Sequence, residues 1–196
     1  MKPKSIRYLI CTDSYRYGGK RGVLSLVGNA LKYPGVSFSI YLRASHGLGR
    51  NPLGKITLYP FARLLLNHCR IKYHIDIPHV TDIGPGLYIG HLGDVVVNGA
   101  ARIGKNCNLS PGVVIGAANR GSRKGVPVIG DNVYIAPGAK IIGNITVGNN
   151  VAIGANAVVL DDLPDNAVAA GNPATVMSLN GVKGYIEFTD YDSSPD

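Results

Sequence analysis

Between Tyr73 and Ala100 the chain reads YHIDIPHVTDIGPGLYIGHLGDVVVNGA, and three of its five histidines, His74, His79 and His91, fall here with aspartates between them. Two chemistries suit such a set. Imidazole and carboxylate groups are zinc ligands, so His74, Asp76, His79 and His91 offer donors; their spacing matches no established ligand motif, and no metal is expected. The other chemistry is proton transfer. A neutral imidazole takes the proton of a hydroxyl as its oxygen attacks a carbonyl, while a carboxylate fixes the tautomer and steadies the charged ring. His91, in IGHLGD, and Asp76, in HIDI, are the candidates for base and orienting acid. The plainer alternatives are a turn histidine and a corner-capping aspartate, and His79 and Asp82 read as structural or substrate-side polar groups.

The elements that must position these residues show in a six-residue period. Aliphatic residues recur at Ile77, Ile83, Ile89 and Val95, then at Ile103, Leu109 and Ile115, and after a gap at Ile129, Ile135, Ile141, Val147, Ile153 and Val159. Six is neither a helical period nor strand alternation. It describes very short strands separated by turns, which on coiling stack their aliphatics in a central column. Glycine and asparagine suit the corners, where special backbone angles are needed. A parallel β-helix over 75–177 follows, with two breaks. The eight residues from Val95 to Ile103 predict a two-residue bulge at about Val97–Ala100, and the fourteen from Ile115 to Ile129 predict a loop over 116–128. A loop inserted in a solenoid is a common place for ligand contacts. Proline, glycine and acidic residues in DDLPDNAVAAGNPATV end the coil, and 178–196 reads as a frayed tail.

Residues 1–74 read as helical. VLSLVGNALKY (23–33) and LYPFARLLLNHCR (58–70) carry apolar residues at three- and four-residue spacing, Pro60 falls in a first turn, and VSFSIYLRASHGLG between them favours helix over strand. Charge is divided unevenly: residues 1–75 hold 13 Lys/Arg against Asp13 alone, and 76–196 hold 7 against 11 Asp/Glu. That asymmetry points the first part at something anionic, such as a phosphate-bearing ligand, an acidic subunit surface or anionic lipid. No nucleic-acid-binding signature accompanies it. Cys11, Cys69 and Cys107 are too scattered for a disulfide framework and read as buried thiols of a reducing, cytoplasmic compartment. The N-terminus is too short in apolar residues for a signal peptide, and no run is long enough to span a membrane.

HIDIPHVTDIGPGLYIGH, then VVIG and PVIGDNVYIAPGAKIIGNITVGNNVAIGANAVV, closing in AVVLDDLPDNAVAAGNPA, resemble the left-handed β-helix acyltransferases. Within that group the run is similar to the serine O-acetyltransferases and to relatives that acetylate sugars in surface-polysaccharide pathways. The likeness covers residues 72–177 in detail. It implies an all-β left-handed parallel β-helix of hexapeptide repeats preceded by a small α-helical region. It also implies a homotrimer with acetyl-CoA lying between adjacent β-helices; the short helical region leaves pairing of two trimers open. His91 matches the family's catalytic histidine and Asp76 the aspartate that orients it. A backbone N–H near Gly116 or Ala117 is the implied donor to the tetrahedral oxyanion. Gly116, Ala117, Ala136, Ala155 and the turn Ala170, Gly171, Asn172 are the implied bed for the pantetheine arm, and Arg120, Arg123 and Lys124 could meet CoA phosphates or an anionic acceptor.

Departures from the serine acetyltransferase pattern bear on the acceptor. The aspartate before the catalytic histidine is Gly90 here, and the Arg-His pair before the proline of the returning loop is Gly125 and Val126, before Pro127. Losing partners for both ends of a zwitterion favours a saccharide acceptor, a lipid- or nucleotide-linked glycan of surface or capsular polysaccharide biosynthesis. Its phosphates would suit the basic first part, with peripheral membrane contact as a further expectation. Serine O-acetylation is the alternative, and a non-catalytic β-helix scaffold is the alternative of a different class.

Overall fold

The computed structural model describes residues 5–192. Helices α1 (Ile6–Tyr15), α2 (Val23–Lys32), α3 (Pro34–Arg50), α4 (Pro52–Ile56) and α5 (Tyr59–Tyr73) form the first part, with α3 at its centre. Each boundary has a local cause. Ser5 caps α1 through its hydroxyl, Asn51 caps α4 by accepting from the N–H groups of Leu53 and Gly54, and proline opens α3, α4 and α5. His74, in the left-handed conformation, ends α5 and turns the chain into the first coil.

From Ile75 onward short strands wind through three parallel sheets. One carries Ile75–Asp76, Val95–Val97, Val114–Gly116, Lys140–Ile142 and Val158–Val159; the second carries Asp82–Ile83, Arg102–Ile103, Val128–Ile129 and Thr146–Val147. The third carries Asn108–Leu109, Tyr134–Ile135, Ala152–Ile153 and Val168–Gly171, closed by an antiparallel return, Ala174–Ser178. This is the left-handed β-helix of hexapeptide repeats, preceded by a helical region. Its core is the predicted column: Ile77, Ile89, Leu109, Ile115, Ile135, Ile141 and Ile153 are all essentially inaccessible. One corner is fixed by a ladder, Asn106 Nδ2 to Asn132 Oδ1 at 2.9 Å and Asn132 Nδ2 to Asn150 Oδ1 at 3.0 Å. All three asparagines have positive φ, a conformation their short amide side chains tolerate.

Strand register corrects the position of the first break. Ile75 pairs with Val95, Asp82 with Arg102 and Tyr88 with Asn108, each twenty residues on, whereas Val96 pairs with Val114, eighteen on. The two extra residues therefore lie in the turn between Ile89 and Val95, not at Val97–Ala100. The period misled because Val95 and Val97 are both buried, so either could stand for the sixth position. The second break is where it was expected: Val114 pairs with Lys140, twenty-six on, and the loop between closes as a hairpin through Ala118 and Gly125.

The helices cover the open edge of the first coil, which has no preceding coil to satisfy its backbone. Arg43 donates to the carbonyls of Ile83 and Gly84, both at 2.6 Å, and Arg16 donates to that of Gly86 at 2.7 Å. Asp13 accepts from the N–H of Leu87 at 2.8 Å, and the Tyr17 hydroxyl accepts from Ile89 N–H at 3.0 Å while donating to Ile89 C=O at 2.9 Å. Unpaired strand edges otherwise invite pairing with another chain. Part of the basic excess is thus internal: Arg16 and Arg43 are buried, and Asp13 neutralises Arg43 through Nε at 2.8 Å.

The C-terminal segment is not frayed over its described part. Tyr191 is buried edge-on against Tyr8 and Tyr15 and donates to Asn106 Oδ1 at 2.7 Å. Cys69 and Cys107 are buried as expected, burial raising the Cys107 thiol to about 12, but Cys11 is exposed. Among the described residues no helix is long and apolar enough to cross a membrane.

Candidate active site

His91 stands in the two-residue insertion itself. Coil-equivalent turns run tightly from the third sheet into the first; here the extra residues, with positive φ at Gly93 and Asp94, push the turn outward and leave His91 exposed. The strand entering this turn is held firmly, since Tyr17 engages both backbone groups of Ile89. α3 approaches so closely that a Cβ on Gly35 would lie 2.2 Å from the Ile89 carbonyl oxygen. An exposed imidazole two residues beyond a clamped backbone position is placed accurately yet remains free to meet a substrate.

Beside it opens a cleft of about 210 Å³, lined by Tyr88, Gly90, His91, Asn108, Ser110, Tyr134 and Tyr185 among others. A larger cavity of about 460 Å³, lined by Arg16, Tyr17, Tyr33 and Phe188, shares Tyr88, Asn108 and Tyr185 with it. Gly90 has a steric role: a Cβ there would lie 2.8 Å from Tyr88 Cε1. The Tyr88 ring, packed 4.5 Å from that of Tyr17, fills the space where a side chain at 90 would begin. These tyrosines were not singled out from the sequence. The available signal was phase, because Tyr88 and Tyr134 occupy equivalent outward positions with Asn108 between them.

Several residues that the sequence grouped have partners of their own in the fold. Asp76 lies on the first sheet and forms an ion pair with Arg70 of α5; no hydrogen bond joins it to His91 within the described chain. His74 faces Asp94, three residues after His91 in the same turn, at 3.5 Å. His79 is a docking residue: its carbonyl accepts from His46 Nδ1 at 2.7 Å, and its Nε2 lies 3.0 Å from the Tyr59 hydroxyl. Burial lowers the pKa of both imidazoles, with nearby arginines adding to the effect on His79. Among the described residues no three His, Cys, Asp or Glu side chains converge as a metal set.

The residues expected to bed CoA divide between two corners. Ala136 and Ala170 occupy equivalent register positions of the third sheet, on the same corner as Ser110 and the His91 turn, with Ala155, Gly171 and Asn172 each one or two residues beyond that position. Gly116 ends a strand of the first sheet and Ala117 follows it, at the next corner. One chain therefore does not bring the Gly116 or Ala117 amide to His91. In the loop Arg123 forms an ion pair with Asp161, whereas Arg120 and Lys124 are exposed.

The bacterial transferase hexapeptide (six repeats) family matches residues 127–161. Serine acetyltransferase of Helicobacter pylori strain 26695 is 36% identical over 148 residues, 76% of this chain and 84% of its own. That of Synechococcus elongatus is 34% identical over 166 residues, covering 85% of this chain and 65% of its own length. Solved serine acetyltransferases share the fold: Neisseria gonorrhoeae in complex with serine (TM-score 0.70, 28% identity, 88% of this chain and 69% of that one) and Brucella abortus in complex with coenzyme A (TM-score 0.69, 29%, 88% and 66%). Fold and repeats define a hexapeptide-repeat transferase. The chain belongs to the serine acetyltransferase-like family of hexapeptide-repeat acyltransferases.

These relatives overturn the saccharide acceptor expected from Gly90, Gly125 and Val126. The three departures stand, but a missing recognition group does not define which acceptor replaces it. At Gly90 the neighbouring volume is taken by the Tyr88 ring.

Proposed function

We propose that the chain is an acetyl-CoA-dependent serine O-acetyltransferase, with His91 as its general base. The observation that carries this reading is His91 itself, displaced outward on a clamped turn beside a cleft, in a chain of this family. The imidazole accepts the proton of the serine hydroxyl as that oxygen forms a bond to the thioester carbonyl carbon. The tetrahedral intermediate then breaks its C–S bond, and the imidazolium returns the proton to the departing thiolate of CoA. Atoms and charge balance without a metal or redox partner.

A trimer accounts for the division of CoA residues between corners. Packing of neighbouring β-helices would bring the Gly116–Ala117 corner of one subunit against the Ala136–Ala170 corner of the next, forming a groove for acetyl-CoA with His91 at one end. Asp76 belongs to this reading as the carboxylate that orients the imidazole, and Arg120 and Lys124 as groups that meet CoA phosphates or the acceptor. Release of CoA thiol from acetyl-CoA, with and without L-serine, is the direct test. Serine-dependent release that His91→Ala abolishes is the expected result; release that His91→Ala leaves intact would refute the assignment.

A further inference from the structure

Residues 182–192 cross from the last coil back to the helices, and their attachments are specific. Arg16, 3% exposed, donates through Nε to the Glu187 carbonyl at 2.8 Å and through Nη2 to Asn108 Oδ1 at 2.8 Å. Asn108 in turn donates through Nδ2 to the Tyr185 carbonyl at 3.1 Å. Further along, Tyr15 donates to Asp190 at 3.0 Å, Tyr8 donates to Asp192 at 2.7 Å, and Arg21 donates to the Tyr191 carbonyl. Phe188 packs so closely on Gly19 that a Cβ there would lie 2.7 Å from its ring. Burying a guanidinium costs free energy unless its donors are met; here Nε holds the segment directly and Nη2 holds it through Asn108.

What the segment delivers is one wall of the His91 cleft. Tyr185 stacks on Tyr134 with ring centroids 4.7 Å apart, and both rings face the same opening as Gly90, His91 and Ser110. Tyr185 is nevertheless 54% exposed, so its ring contributes little to the core. A large aromatic held in place by its backbone, with its ring left partly open beside a base, suits ligand contact better than packing.

We propose that the C-terminal segment is part of the acceptor site, with Tyr185 as the residue that contacts the acceptor and sets what reaches His91. This rests on the reading of His91 as the base for an incoming hydroxyl. Fastening the segment before the acceptor arrives lowers the ordering cost of binding.

The test is the steady-state kinetics of CoA-thiol release by the full chain with L-serine, L-threonine and L-homoserine, for wild type, Tyr185→Ala, Tyr185→Phe and Arg16→Met. Tyr185→Ala is expected to raise the acceptor KM about tenfold and leave the acetyl-CoA KM unchanged, the pattern of a lost acceptor contact. Tyr185→Phe keeps the stack and stays within about twofold of wild type. Arg16→Met loosens the segment, so the acceptor KM rises and trypsin cleaves after Lys183 faster. An unchanged acceptor KM in Tyr185→Ala, or an equal rise in both KM values, overturns the proposal; so does Arg16→Met with wild-type cleavage and KM. Turnover with threonine or homoserine but not serine refutes serine as the acceptor, and the Tyr185 comparison is then made with the active compound. No acceptor-dependent release at all overturns both readings.

Discussion

The coils and the helices that cover them are held together by opposite means. Along the β-helix each turn repeats the last: aliphatics fill the column, neighbouring backbones pair in register, and asparagines stack at a corner. Such stability is close to a sum of similar neighbour terms. The helical part has no such repeat. Its join to the first coil depends on a few buried polar groups, Asp13, Arg16, Tyr17 and Arg43, each meeting a different backbone group between Ile83 and Ile89. A regular array can lose one unit and keep its neighbours; a polar join fails when one partner goes. His91, the proposed base, stands where the two meet, on the turn that follows the last clamped strand.

The largest effect should come from the residue that neither region needs for stability. His91→Ala is expected to lower kcat by about 10²–10⁴, while the thermal midpoint and oligomeric state stay at wild-type values because the side chain is exposed. Comparable losses of activity and assembly in the same variant would remove His91 from catalysis. Next is Asp13→Ala, which leaves Arg43 buried and unpaired and should cost about 3–5 kcal/mol. Hydrogen exchange should show its loss locally, with α1 and α3 deprotected and the coils beyond Ile103 still protected. Deprotection spreading evenly through the coils would erase the contrast between the two regions.

The same contrast explains what the sequence made legible. A six-residue period needs only residue types, so the column, the inserted loop and the family motif around His91 could all be read in advance. The first break was misplaced by a few residues because Val95 and Val97 are chemically interchangeable, and only strand pairing distinguishes them. The cap was harder. Nothing local marks Arg16 or Arg43 as internal rather than solvated, since their partners are carbonyls some forty to seventy residues away. Asp76 illustrates the limit from the other side: motif position assigns it to His91, whereas within one chain its carboxylate meets Arg70. Tyr185 lay in a segment whose composition suggested fraying, and its anchors come from α1 and from the coil around Asn106 and Asn108.

Smaller perturbations sharpen the comparison. Asn132→Ala removes the middle of the corner ladder and places an alanine at a φ of 54°. The expected cost is about 1–2 kcal/mol, seen as a lower urea midpoint with an unchanged slope and no effect on the helices. A loss as large as that of Asp13→Ala would mean the ladder is not one replaceable unit among many.

The smallest expected effect is a pH dependence confined to the join. His46 and His79 both have lowered pKa values in the folded chain, burial being the main cause, and their charged neighbours are Arg43, Arg50, Arg63, Arg70 and Asp82. The unfolded chain therefore binds these two protons first, beginning near the ordinary imidazole value of about 6.5. The sign follows from linkage: their contribution is fully present above that value and is lost as pH falls from it through the lower folded values. The thermal midpoint should decline between pH 7 and 5, with α3 and α5 losing exchange protection before the coils. Replacing both histidines with asparagine should flatten that decline. A decline that persists unchanged in the double variant would assign the acid sensitivity to other groups, and one led by the coils would place it outside the cap.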